Sequence, residues 1–328
     1  MLASSYESSF ALVAFIILIL LILEITLNQS GSTITDAPEN DEEFRNFQDI
    51  EGLEGRRNSL VYSCPVSSQS YGHVVFFPGD IQDFEKNMKK YDLSVEWINW
   101  SYEKMFRILK KRFPNNCLWV VQPSKRNGGI FSLYPNFLPF AVNDDVDYGI
   151  PVIPHNASHG GLTHFVKLLS SGQHQTMKFH NTTLNRPIIL VGFSKGCIVL
   201  NQFLHEVAYM SKKYSVALSE DEDYKSVRKF VAKISELYWL DGGHSGTRGL
   251  WVVDSNVLAY LKDGIWMKNI KIYVQVTLWG INDPMQPRYE EELSQFGSQL
   301  RNLDVNYNET RWNVSRTLEN HFKILNSF

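Results

Sequence analysis

From about residue 59 onward, short runs of branched and aromatic residues alternate with stretches whose apolar positions recur at helical spacing. Residues 60–64, 73–77, 117–122, 187–192, 237–241 and 270–279 read as strands. Several are almost continuous in Val, Ile, Leu and aromatics, the pattern of strands covered on both faces of a parallel sheet. In SYEKMFRILKKRF, Tyr102, Met105, Phe106, Leu109 and Phe113 fall at i, i+3, i+4, i+7 and i+11, and Ser101 stands where a helix cap belongs. Residues 197–210 form a second, largely apolar helix. This alternation predicts an α/β domain built on a doubly wound, mostly parallel sheet. Residues 125–160 fit neither period. They are rich in Gly, Pro and aromatics, among them Phe131, Tyr134, Phe137 and Phe140. A connection that long in a compact domain is read as a lid over a pocket.

The amino terminus follows another rule. FALVAFIILILLIL, residues 10–23, is wholly apolar, and tolerating Glu24 and Thr26 extends it to Leu27, 27 − 10 + 1 = 18 residues. At about 1.5 Å per residue that helix is roughly 27 Å long, close to the ~30 Å hydrocarbon core of a bilayer. Residues 1–27 are therefore read as a transmembrane anchor, with a signal sequence as the second reading. No flanking Lys or Arg orients it. Residues 28–58 are polar and acid-rich and read as a flexible tether, leaving 59–328 as the domain.

Composition narrows the function. With a net charge of −3 and no basic block, the chain is not suited to nucleic acid. Its three cysteines, Cys64, Cys117 and Cys197, show no CxxC spacing. Cys117 and Cys197 lie inside apolar runs and read as buried thiols. The histidines of HNASHGGLTH, His155, His159 and His164, resemble metal spacing only superficially, since they lack helical regularity, so neither a metal nor a cofactor is expected.

The chemistry-bearing motif is GFSKG at 192–196, between the strand at 187–192 and the helix from 197. A serine held in that strand-to-helix turn projects as a nucleophile from a strained backbone, and Gly192 and Gly196 remove the Cβ atoms that would clash. The helix that follows aims its first N–H groups at the site, and the N–H of Lys195 is one expected oxyanion donor. The second should come from the loop after HVVFFPGD, at Gly79 or Asp80. A nucleophilic serine also needs a base and a group that orients the base. Hydrolases with this turn order them serine, acid, histidine. His321, in LENHFKIL, is the histidine that follows every strand, and Asp283 stands just past the last predicted one. The expected triad is thus Ser194, Asp283 and His321. Asp241 and His244, in LDGGHSG, are the rival acid and a neighbouring imidazole, read as supporting or substrate-contacting groups.

FPGD at 77–80 (read through its Phe), GFSKGC at 192–197, YWLDGGHSG at 238–246, DPM at 283–285 and ENHF at 319–322 together resemble an animal family. It is the family named for open reading frame sixty-nine of human chromosome two, and the resemblance runs from about residue 72 to the carboxyl end. It implies an α/β-hydrolase-like fold, a serine-hydrolase site at Ser194, Asp283 and His321, and a role in mitochondria. The apolar amino terminus departs from a presequence. Six Asn-x-Ser/Thr sequons, at Asn28, Asn99, Asn156, Asn181, Asn308 and Asn313, would instead suit the endoplasmic reticulum or a secretory membrane. Two functions stay open at this point. One is a membrane-tethered serine hydrolase acting on a small or lipid-derived ester or thioester. The other is an inactive hydrolase scaffold that binds a protein partner.

Overall fold

The computed structural model describes residues 44–65, 72–139, 155–179, 183–214, 221–242, 251–263, 269–283 and 287–328. All of them belong to the unit Phe44–Phe328. The expected membrane anchor and His244 lie outside the described residues. Among those described, no helix is long and apolar enough to cross a membrane.

Among the described residues there are ten strands: β1 Arg45–Glu51, β2 Arg57–Ser63, β3 Gly72–Phe77, β4 Asn116–Val121, β5 Lys125–Asn127, β6 Phe131–Leu133, β7 Ile188–Phe193, β8 Ile234–Leu240, β9 Lys271–Thr277 and β10 Asn306–Trp312. Eight form one sheet in the order β1-β2-β4-β3-β7-β8-β9-β10. The pairs β1–β2 and β2–β4 are antiparallel, and every pair from β4 to β10 is parallel. The sheet is therefore mixed, and its mostly parallel character agrees with the expectation.

Val75 and Phe77 of β3 and Trp119 and Val121 of β4 enter one large core. They share it with apolar residues of helices α2 Gly161–Thr176, α3 Cys197–Lys213, α4 Glu222–Val231, α5 Ser255–Asp263 and α6 Arg288–Asn302. The intervening Val74, Phe76 and Val120 are buried as well. Helix α1, Tyr102–Arg112, packs on β4, and the carboxyl-terminal turn reaches β9. Burial of both strand faces is what the near-continuous apolar runs required. Helix α1 buries Tyr102, Met105, Phe106 and Leu109, its Ser101 hydroxyl accepts from the Lys104 N–H, and its last turn carries Lys110, Lys111 and Arg112, which favours the dipole.

Three expectations change. The second half of the presumed tether is structured, because β1 and the start of β2 fall inside residues 28–58. The segment 125–160 contains a hairpin, β5–β6, turning through Gly128 and Gly129 at positive φ. Cys117 is not a free thiol. It is bridged to Cys64, 53 residues away, because the antiparallel register of β2 on β4 pairs Ser63 with Leu118 and so sets the next two residues face to face. Cys197 is a buried thiol, as expected.

Candidate active site

The turn after β7 has the predicted backbone. Ser194 adopts φ +51 and is almost wholly buried. A Cβ on Gly196 would lie 2.0 Å from the Phe77 carbonyl oxygen, and one on Gly192 2.8 Å from Cys197 Cα, so only glycine fits at either position. Gly79 closes the other side: a Cβ there would meet Ser194 Cβ at 2.7 Å and Oγ at 3.1 Å. The loop after β3 is thus pressed directly against the serine.

His321 is carried by the short helix α7, Leu318–Lys323, which Thr317 caps through its side chain. Its ring packs against that of Phe193 with centroids 4.7 Å apart, which brings the imidazole beside the elbow. Its Nδ1 lies 2.7 Å from Oδ2 of Asp241. Asp241 follows β8 directly at φ +50 and is fully buried. It also accepts from the Thr277 N–H at 2.8 Å and the Thr277 hydroxyl at 2.5 Å. Three groups thus meet on one buried carboxylate.

Asp283 is paired with Arg316. Its Oδ2 lies 3.3 Å from the Arg316 guanidinium, which stacks over Trp279, and Trp279 in turn packs on His321. The carboxylate at Nδ1 of His321 is thus that of the rival Asp241, where Asp283 was expected. Physically, the turn Leu278–Ile281 carries the chain away from the sheet before Asp283 is reached. Thr277, which sequence reasoning missed, follows from its place at the end of β9 beside β8.

Lys195 does not run to solvent. It is buried, its Nζ lies 3.2 Å from Asp80 Oδ1 and 5.5 Å from the centroid of the Phe131 ring. The presumed lid segment braces the loop after β3. The Ser132 N–H donates to Asp80 at 2.6 Å, the Ser132 hydroxyl to the Gly79 carbonyl at 2.8 Å, and the Tyr134 hydroxyl to the Pro78 carbonyl at 2.7 Å. Arg126 donates to the Gln82 carbonyl and the Tyr102 hydroxyl and pairs with Asp83. Burial opposes the Arg126 charge, but Tyr102 and Asp83 outweigh it and hold the guanidinium's pKa up. In sequence, Asn-Gly-Gly between two short strands was the available hairpin signal.

The metal-like histidines have other tasks. His164 Nδ1 accepts from the Leu53 N–H and its Nε2 donates to Asn58 Oδ1, and His159 contacts the Pro135 carbonyl. No metal-binding group of His, Cys, Asp or Glu occurs among the described residues. Beside them, Glu206 accepts from the N–H groups of Gly161 and Leu162 at the start of α2, and burial raises its carboxyl to about 7.

The C2orf69 family model matches residues 46–186 and 173–306. The chain belongs to the C2orf69 family. Its match begins at β1, well before residue 72, where the motif resemblance starts. The zebrafish (Danio rerio) mitochondrial protein C2orf69 homolog is 31% identical over 270 residues, covering 78% of this chain and 73% of that protein. The human mitochondrial protein C2orf69 is 29% identical over 302 residues, covering 77% and 73%. Among solved structures, an IroE-like serine hydrolase from Shewanella oneidensis aligns with a TM-score of 0.48 at 12% identity, over 86% of this chain and 78% of that one. Esterase Est22 aligns with a TM-score of 0.44 at 13% identity, over 86% and 75%. Within this C2orf69-family chain, the mixed sheet with its elbow after β7 is α/β-hydrolase-like.

Proposed function

We propose that this protein is a serine hydrolase of esters or thioesters, working through Ser194, His321 and Asp241. One observation carries the reading: a fully buried carboxylate holds Nδ1 of a histidine whose ring packs on Phe193, the residue that precedes Ser194 at φ +51. With Asp241 fixing a proton on Nδ1, Nε2 is the basic nitrogen. Ser194 Oγ attacks the acyl carbon and its proton passes to Nε2. The carbonyl π pair moves to oxygen, and the backbone amides at Lys195 and Asp80 receive that charge. Collapse expels the alcohol or thiol, which takes the proton from Nε2, and water then releases the acid by the same steps in reverse order.

The relatives' names support a mitochondrial site for this chain, and its apolar amino terminus supports attachment to a membrane. The Cys64–Cys117 bridge favours an oxidising compartment. Fractionation with protease protection tests the placement; a glycosidase-induced shift, through the exposed sequons Asn99, Asn156, Asn308 or Asn313, would move it to the secretory route.

The deep burial of Ser194 favours a second reading, a scaffold that keeps the fold without turnover. A fluorophosphonate probe separates the two. Labelling of the wild type that disappears in Ser194→Ala supports the enzyme; an unlabelled wild type, or a label retained in the variant, supports the scaffold.

A further inference from the structure

We infer that the Lys195–Asp80 ion pair is a clasp that sets the oxyanion hole, tying together the side chains of the two residues whose backbone N–H groups face the developing charge. The inference rests on the hydrolase reading and names positioning residues within it. An oxyanion hole needs two amides from different chain segments held together within a few tenths of an ångström. Here those segments are 195 − 80 = 115 residues apart in sequence.

The amides of the loop after β3 identify the donor. The Gly79 N–H is taken by the Gln82 side-chain carbonyl at 3.0 Å, and the Ile81 N–H by the Ile130 carbonyl at 2.8 Å. Asp80, between them, is the residue whose amide this pattern assigns to the site. Ile81 sits at φ +71, a conformation that β-branched residues rarely adopt. Strain of that kind persists only where the surroundings enforce it, and the hairpin bonds to Gly79, Asp80 and Gln82 are such surroundings.

The clasp completes this bracing on the elbow side. Lys195 directly follows Ser194, so its main chain belongs to the elbow, while its ammonium reaches across to Asp80 at 3.2 Å. The two side chains are only 7% and 18% exposed, so water screens the pair poorly. The Phe131 ring below the ammonium fixes its direction. Breaking the pair leaves both amides present but free to drift apart, and a misplacement of about 1 Å costs on the order of 100-fold in rate.

The test compares wild type, Lys195→Met, which keeps the stem along Phe131, and Asp80→Asn, which keeps an acceptor for Ser132. Fluorophosphonate labelling rates, and kcat and KM on p-nitrophenyl acetate, are measured with Tm. The clasp predicts that each single variant loses about 100-fold in labelling and kcat with KM nearly unchanged. It also predicts that the double variant is no worse than the poorer single one. Should Lys195→Met fail to fold, Asp80→Asn decides alone by the same readouts. A wild type that labels while the variants label equally fast refutes the clasp and leaves the hydrolase standing, as does a multiplicative double variant. A wild type that does not label refutes both.

Discussion

Asp241→Asn is the sharpest perturbation of the site. Asparagine tolerates the left-handed backbone at φ +50, and it has aspartate's shape, so packing is retained. Its chemistry differs at one atom. Oδ1 can still accept the Thr277 N–H at 2.8 Å, which leaves the amide nitrogen at the Oδ2 position, facing the Thr277 hydroxyl and His321 Nδ1. The hydroxyl can turn and accept. The imidazole cannot keep a proton on Nδ1 against an N–H, so the tautomer reverses and Nε2, the nitrogen needed as base, becomes a donor. The wrong tautomer in a triad of this kind lowers kcat about 10⁴-fold, roughly 5 kcal/mol in the barrier.

The matched control is Asp283→Asn. It weakens a partly exposed pair with Arg316, whose side chains are 17% and 25% exposed, and such pairs are worth about 0–1 kcal/mol. Arg316 reaches His321 through Trp279, so the expected loss stays below about 10-fold. The assay is the second-order rate of fluorophosphonate labelling, read beside Tm to exclude unfolding. Asp283→Asn abolishing the label while Asp241→Asn retains it would overturn this assignment of the acid.

Three further outcomes follow from the same geometry. Gly79→Ala should remove labelling and lower Tm, because its Cβ would lie 2.7 Å from Ser194 Cβ and the loop must shift; a variant labelling at the wild-type rate contradicts that contact. Reducing the Cys64–Cys117 bridge, which closes a 53-residue separation, should cost up to about 4 kcal/mol by chain entropy, read as a fall in urea midpoint that the Cys64→Ser/Cys117→Ser variant reproduces. Glu206, at about 7 when folded against 4.5 unfolded, binds its proton more tightly in the folded state, so its contribution to stability falls as pH rises between those values, by at most about 3 kcal/mol. His164, lowered from 6.5 to about 3 by burial and by Arg56, acts in the opposite sense, its contribution rising with pH across that window and lost in acid. Glu206→Gln should therefore steepen the rise in urea midpoint between pH 5 and 6.5, and an unchanged slope would refute the buried carboxyl's role.

How much of this was readable from sequence depended on burial. Strands covered on both faces announce themselves by composition, and β2, β3, β4, β7, β8 and β9 were all anticipated. The two edge strands were not. In β1 the inward residues Phe47 and Ile50 are three apart, because a register shift at Asp49, φ +55, breaks the alternation that identifies a strand. In β10, Glu309 and Arg311 form ion pairs along a half-exposed edge, so its composition reads as a loop. The serine and histidine could be named because chain order constrains them. The roles of Lys195, Asp80 and the hairpin depend on side-chain directions that no spacing encodes.

The choice between Asp241 and Asp283 shows why two equally placed aspartates need not be equal. Both follow adjacent parallel strands, β8 and β9. What separates them is the path on leaving the sheet. Asp241 turns at once: its N–H binds the Gln275 carbonyl at 2.7 Å and its carboxylate crosses to Thr277, so it joins the ends of both strands. A group fixed at three points by main chain and side chain loses little further entropy when it orients a histidine. Asp283 stands after a helical turn, on Arg316. The same requirement accounts for Gly242 behind Asp241, where a Cβ would lie 3.1 Å from Cys197 Cβ. That glycine lets β8 end against the first turn of α3, so the acid and the elbow are packed through Cys197. The tight turn that ends β8 is therefore the feature that sets Asp241 against His321.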